Sequence, residues 1–218
     1  RQDEQTPNST VSYYTKGALV ALCFDLTLRH EGKGTLDDVM RHLWTHGGGG
    51  PISEADIAAA LEAVSGRSYA VELARWVHST EELPLAQLLR AHGVATLEDP
   101  SQQAQALGLR VAEANGSVQV KVVLRGGPAE KAGFSANDEW IGIELPAVGK
   151  RGQQRPAQAW RIAKLDDLAL YLGDATKCTA IVARDRKLIR LPLALPTNAT
   201  TWRLFAHDAT KVAGWLAG

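Results

Sequence analysis

The sequence predicts an α+β protein of two domains: an all-helical array, then a mixed α and β unit that leads into a C-terminal helix. Three observations predict it. Up to about residue 99 the apolar residues recur at helical spacing, and after Pro100 they alternate, a change from a 3.6-residue to a two-residue period. Glycine and proline punctuate both halves at short intervals, so the connections are short. A chain of 218 residues, at roughly 100–200 residues per domain, fits one large domain or two small ones. The expected boundaries are 1–99, 100–197 and 198–218, the last being a helix that packs back on the helical domain.

Residues 1–10 are polar, contain Pro7 and lack apolar periodicity, so they are expected to connect rather than pack. Leu19, Leu22, Cys23 and Leu26 fall at i, i+3, i+4 and i+7, which places them on one face of a helix running from Tyr13 to about His30. Gly32 and Gly34 stop it. Thr35 can cap a second helix with Val39, Met40 and Leu43 facing inward and Gly47–Gly50 at its end. Ser53 followed by Asp56 is a capping-box arrangement, with Ile57, Leu61 and Val64 as the buried stripe and Gly66 as the stop. Tyr69 to Val77 reads as a fourth helix. Pro84 and Gly93 frame a short fifth one built on Leu85, Leu88 and Leu89.

Beyond Pro100, Leu107, Leu109 and Val111 alternate, as do Val118, Val120 and Val122, around the turn residues Asn115-Gly116. A short helix is expected at Ala129–Ala132, then a strand at Trp140–Leu145 and a moderately basic loop over 146–160 with Lys150, Arg151 and Arg155. A helix from Asp166 to Leu172 and strands at Ala180–Arg184 and Leu188–Leu193 follow. Thr200 to Leu216 reads as one helix with Trp202 and Trp215 near its ends. The expected core of the mixed unit is Val120, Val122, Phe134, Ile141, Leu168, Ile181 and Leu191.

Charge and composition exclude several function classes. Lysine plus arginine and aspartate plus glutamate both total 24. That balance argues against nucleic acid or an anionic membrane as partner, because both are bound through a basic surplus. No apolar run approaches the ~18–20 residues of a bilayer span. Cys23 and Cys178 are far apart and match no redox or zinc-ribbon spacing, so two buried, reduced thiols are expected. They point to a cytoplasmic location. The chain opens at Arg1 with neither a methionine nor a signal-peptide pattern, which predicts either a removed leader or a piece of a longer protein. A periplasmic or secreted location therefore stays open.

Several catalytic patterns are incomplete. His42 and His46 have the i, i+4 spacing of a zinc helix, but Leu43 stands where such a helix carries its glutamate base. His30-Glu31 starts the same pattern, and Gly34 replaces its second histidine. No nucleophile elbow, phosphate-binding glycine loop or C-x-x-C pair is present. No zinc is expected to bind this chain stoichiometrically.

Two segments resemble known families. Val118 to Ile143, with Gly127-Pro128-Ala129, Ala132-Gly133-Phe134 and the Asp138 that precedes Trp140-Ile141, resembles a PDZ domain of the bacterial protease-associated type, a small β-barrel. Asn137 stands where such domains carry glycine, and asparagine tolerates the same left-handed turn. The resemblance implies that Leu107, Gly108 and Leu109 lie in the loop that offers backbone N–H groups to a peptide's terminal carboxylate. The strand after them would pair with an extended peptide, opposite the helix at Asp166–Leu172. The alternative is a groove filled by its own chain.

Ser12 to Val20, containing Tyr14-Thr15-Lys16-Gly17-Ala18, resembles the Y-x-K-G-A segment of gluzincin aminopeptidases. Together with a helical domain and a PDZ domain, and with Leu36 to Met40 and Glu82 to Leu85 as supporting pieces, it resembles the C-terminal part of the glycyl aminopeptidase family. This implies a zinc-dependent parent enzyme that removes N-terminal residues, glycine or alanine by preference, from a peptide substrate. Its zinc ligands would lie upstream, Tyr14 would be the transition-state donor, and the fragment alone would be inert. The reading from another class is a non-enzymatic PDZ adaptor in which the helices form a platform for peptide binding.

Overall fold

The computed structural model describes residues 6–9, 12–147 and 156–217. The described residues of 1–11 and 98–201 form one compact unit, and those of 12–97 and 202–218 form the other. Residues 148–155, which include the expected basic loop positions Lys150, Arg151 and Arg155, lie outside the described residues.

The helical unit follows its capping chemistry closely. Helix α1 is a single turn, Thr6–Ser9, in the segment expected to be a plain connection, and it belongs to the other unit. Helix α2 spans Tyr13–His30, with Ser12 as its N-cap. In α3 (Leu36–His46) and α4 (Glu54–Ser65) both capping boxes are formed, Thr35 with Asp38 and Ser53 with Asp56. Each satisfies two N–H groups that a helix start would otherwise leave without partners. Gly66 ends α4 in the left-handed conformation, at φ 77°. The short helices α5 (Ala70–Trp76) and α6 (Leu85–Ala91) complete the array.

Its core gathers Cys23, Phe24, Leu28, Val39, Leu43, Leu61, Tyr69, Leu73 and Trp76. Phe24 lies at the centre of an aromatic cluster, 4.9 Å from Trp76 and 5.9 Å from Tyr69 between ring centroids. Three inward assignments are corrected. Met40 is 56% exposed, and Leu19 and Ile57 also face outward. Ala60 occupies the inward position on α4, while Phe24 and Leu28 widen the buried face of α2 beyond the single stripe the spacing suggested.

Strand β1 (Val94–Pro100) was not expected from the sequence. It pairs in a two-stranded sheet with β8 (Thr200–Ala206). The C-terminal stretch is therefore not one helix: β8 comes first, and only Ala209–Leu216, α10, is helical. Asp208 caps α10 by accepting from the N–H groups of Thr210 and Lys211, both at 3.1 Å. Gly93 makes the seat for this helix: it has φ 85°, and a Cβ there would lie 2.6 Å from the Asp208 carbonyl oxygen.

In the mixed unit, β1 is followed by α7 (Gln103–Leu107), so Leu107 ends a helix and does not start a strand. Strands β2 (Leu109–Ala114) and β3 (Ser117–Val123) form a hairpin over Asn115-Gly116, both at positive φ, 52° and 70°. Helix α8 (Pro128–Ala132) has proline in its first turn and ends at Gly133, at φ 92°. Then come β4 (Glu139–Leu145), β5 (Gln158–Arg161), α9 (Asp167–Leu172), β6 (Lys177–Arg184) and β7 (Lys187–Ala194). The sheet order is β2-β3-β4-β6-β7, with β5 pairing β4 beyond the end of the β3 ladder. The path is open: among the described residues no β2–β7 pairing closes it into the expected barrel.

The core of this unit is Leu107, Leu109, Val118, Val120, Phe134, Trp140, Ile143, Leu168, Val182 and Leu193, among others. Val120, Val122, Phe134, Leu168 and Leu191 are inward as expected, but Ile141 and Ile181 are only half-buried. A register shift between Trp140 and Gly142 puts Trp140 and Ile143 inside in place of Ile141. Such a bulge reverses which parity of residues faces the core.

Candidate functional site

Tyr13 and Tyr14 open α2. Ser12 holds the first turn, its hydroxyl accepting from Thr15 N–H at 3.4 Å and its carbonyl from Lys16 N–H at 2.9 Å. Both tyrosines are 75% exposed, and their rings touch only at a tilt, 4.4 Å between centroids and 33° between planes. A hydrogen bond with Tyr14 holds the Tyr13 phenol above its usual range. Lys16 is turned aside: its ammonium donates to the Ser79 carbonyl at 3.1 Å. A methyl group on Gly17 would meet nothing within 4 Å. The tyrosine pair thus presents phenols at a helix start, with the side chains outside the helical core.

In the mixed unit, Leu107, Gly108 and Leu109 form the corner between α7 and β2. The side chains of Leu107 and Leu109 are buried. Gly108 adopts φ 71° and turns its N–H back to the Gln105 carbonyl at 3.1 Å, while its own carbonyl accepts from Leu124 N–H at 2.8 Å. The corner is close-packed: a Cβ on Gly108 would lie 3.2 Å from Gly127 Cα. Among the described residues, strand β2 is the end strand of the sheet and pairs only with β3, so its other edge carries backbone groups that a further strand could take up. At its far end, Glu113 accepts from Leu165 N–H at 2.8 Å and ties β2 to the entry of α9. On α9, Tyr171 stacks on Trp160 of β5, 4.7 Å apart and nearly parallel at 4°.

Tyr14 and the corner residues belong to different units. Sequence reasoning missed Glu113 and the Trp160–Tyr171 stack, because neither lies in a motif and both depend on long-range pairing. The His42 and His46 rings stack 4.0 Å apart, and His46 Nδ1 is 2.9 Å from the His42 carbonyl. Among the described residues no three His, Cys, Asp or Glu side chains are grouped to hold a metal. Burial pushes the Cys23 and Cys178 thiols up to about 11, far from the range of a reactive thiolate. No helix among the described residues is long and apolar enough to cross a membrane.

No family model matches the chain. No curated protein matches it either. Among solved structures, the crystal structure of an aminopeptidase N family protein from Idiomarina loihiensis is similar to it, with a TM-score of 0.79 and 26% sequence identity. The likeness covers 99% of this chain and 38% of that one, so the chain spans about two fifths of the length of the protein it matches.

Proposed function

We propose that this chain is the C-terminal part of a zinc-dependent aminopeptidase of the glycyl aminopeptidase family, in which Tyr14 acts on the substrate and the mixed unit is a PDZ domain. The observation that carries the reading is the likeness to an aminopeptidase N family protein over 99% of the chain. Tyr14 supports it, since an exposed phenol at a helix start is free to point at a ligand in a way that a core tyrosine is not.

Zinc does not fit the donor set of this chain, because its described residues bring no three ligands together. By the family resemblance, the zinc ligands lie in the upstream part of the parent enzyme. What this chain contributes is a hydrogen bond. The Tyr14 hydroxyl donates to the oxygen of the scissile carbonyl as negative charge develops on it, and the bond strengthens toward the transition state. The preference for N-terminal glycine or alanine follows from the family resemblance alone. In the mixed unit, the free edge of β2 beside Leu107, Gly108 and Leu109 supports binding of an extended peptide by strand addition, with α9 as the opposite wall. The same feature supports the adaptor reading, which an upstream H-E-x-x-H in the parent gene would exclude.

The test uses the full-length parent enzyme. Tyr14→Phe removes the hydroxyl and keeps the ring, so kcat should fall by about 10²–10³ with little change in KM, as for loss of one oxyanion donor. Tyr13→Phe is the matched control and should do much less. Turnover retained in Tyr14→Phe would end the mechanistic reading.

A further inference from the structure

The hydrogen bonds around β3 fix which backbone groups of β2 face outward. Leu124 donates its N–H to the Gly108 carbonyl at 2.8 Å, so the next residue, Leu109, opposite Val123, turns its own N–H and carbonyl away from β3. A register shift follows, and Val111 then lies opposite Val120. Val120 gives its N–H to the Asp138 carbonyl and accepts at its own carbonyl from Asn137 N–H, both at 2.8 Å, so its backbone groups point away from β2. Leu109 and Val111 therefore direct their N–H and carbonyl groups to the open edge. Their side chains share the inner face: Leu109 is buried, and Val111 packs partly against the core. Farther along, the Glu113 carboxylate takes the Leu165 N–H and brings the chain entering α9 up to the edge, which ends the open stretch.

The corner beside this stretch has little left to offer a carboxylate. Leu107 is the last residue of α7, so its N–H runs back into the helix. The Gly108 N–H is shared between the carbonyls of Ala104 and Gln105. On the neighbouring loop, Arg125 N–H donates to Asn8 Oδ1 at 2.8 Å and Gly127 N–H to the Leu124 carbonyl at 3.3 Å. That loop already holds a carboxylate of its own, since Glu130 accepts from Gly126 N–H at 2.6 Å. A free C-terminus entering here would meet one corner N–H, that of Leu109, although its two oxygens can accept several hydrogen bonds. An uninterrupted strand has a partner for every outward group of Leu109 and Val111.

We propose that the open edge of β2 takes an internal extended segment of a peptide chain, not a free C-terminus, with apolar side chains opposite Leu109 and Val111. The proposal rests on the strand-addition reading of this edge given above and narrows its ligand. In antiparallel pairing, a residue opposite Val111 exchanges N–H···O bonds with it in both directions and sets its side chain on the same face. Residues two apart in the ligand thus lie over Leu109 and Val111, and β-branched side chains suit that surface.

The experiment titrates this chain with acetylated Thr-Val-Thr-Val-Thr in two forms, C-terminal amide and free acid, and follows backbone amides by NMR. The two forms should have dissociation constants within about twofold of each other. Signals of Leu109 and Val111 should shift most, and those of Arg110 and Ala112, which face β3, least. Methylation of both valine nitrogens removes the N–H groups that meet β2 and should abolish binding. Methylation of the middle threonine nitrogen, which faces away from β2, should leave binding intact. A free acid that binds about tenfold or more tightly than the amide overturns the proposal and leaves strand addition standing, since the gain would be a charge-assisted bond to the carboxylate. Undiminished binding of the valine-methylated peptide overturns it too, because such a ligand does not pair with the edge. If neither form moves Leu109 or Val111 at millimolar peptide, strand addition at β2 fails, and the proposal fails with it.

Discussion

Arg67 joins three segments of the helical unit through charge and geometry. It pairs with Glu31 at 2.7 Å and with Glu72 at 2.7 Å, and its guanidinium carbon sits 3.7 Å above the Tyr69 ring. Tyr69 donates its hydroxyl to Glu31 at 3.0 Å, and its phenol is pushed up to about 12, by burial first and then by that hydrogen bond. The Arg67 hydrogen bonds hold the Glu31 carboxyl below its usual range, with partial burial working against them. A carboxylate with a lowered folded-state pKa stabilises the fold above its unfolded pKa of about 4.3, and that contribution is lost as the pH falls through the folded value. Glu31→Gln should therefore cost about 1 kcal/mol at pH 7, toward the upper end for a partly exposed pair. Denaturant midpoints should show the gap closing as the pH falls below the ordinary carboxylate range; a gap that stays constant with pH would mean that Glu31 acts through shape and not charge. None of this network was legible in the sequence, because Glu31 and Arg67 are 36 residues apart and no periodicity links them. Tyr14 could be singled out because its motif is local. Ile181 was not, because Cys178, Ala180 and Val182 alternate with Thr179, Ile181 and Ala183 and the two faces are about equally apolar. The partner strand, not composition, decides which face is inside.

At the scale of elements, the starts of α3 and α4 were readable and three of the strands, β1, β5 and β8, were not. Thr35 and Ser53 announce α3 and α4 because a capping box is complete within four residues, and both boxes form. Strand β8 was hidden by the spacing of Trp202 and Phe205, which mimics a helical stripe; the signal that separates it from α10 is Asp208, an N-cap in mid-segment. Strand β5 is four exposed residues held by close backbone approach: a side chain on Gly142 would overlap the Trp160 carbonyl oxygen. Within α2, Gly17 is the opposite case. It has no positive φ and no neighbour within 4 Å of a Cβ, so nothing among the described residues needs a glycine there. Glycine costs an α-helix roughly 0.8–1 kcal/mol relative to alanine. Gly17→Ala should accordingly stabilise the helical unit of this chain by up to about that amount, read as a rise in melting temperature. Destabilisation would show that Gly17 has a role within this unit.

For the whole molecule, the buried clusters of the helical unit share no residue with that of the mixed unit, which implies two units of folding. The mixed unit has the means to stand alone. Trp140, Ile143, Leu168 and Leu193 are fully buried, and each such side chain contributes roughly 1.5–3 kcal/mol. The Trp140 indole donates to the Gly142 carbonyl at 2.9 Å, so no polar atom of that ring is left without a partner. Asp138, also fully buried, accepts from Arg184 Nε at 2.7 Å and Nη2 at 2.8 Å and from Ser135 N–H at 2.8 Å. Arg184 in turn donates to the Gly133 carbonyl at 2.7 Å, so one ion pair fixes the end of α8 to β6. All of these partners lie between Glu98 and Thr201. Residues 98–201 expressed alone should therefore unfold in one cooperative transition. At about 0.7 kcal/mol per residue, the calorimetric enthalpy should be near 70 kcal/mol and equal the van't Hoff value. Arg184→Met in that segment leaves a buried carboxylate without its counter-charge and should cost about 3 kcal/mol or more, enough to lower the transition by well over ten degrees. A broad, weakly cooperative melt of the parent segment would mean that the helical unit completes this core, and the two-unit description would then fail as an account of folding.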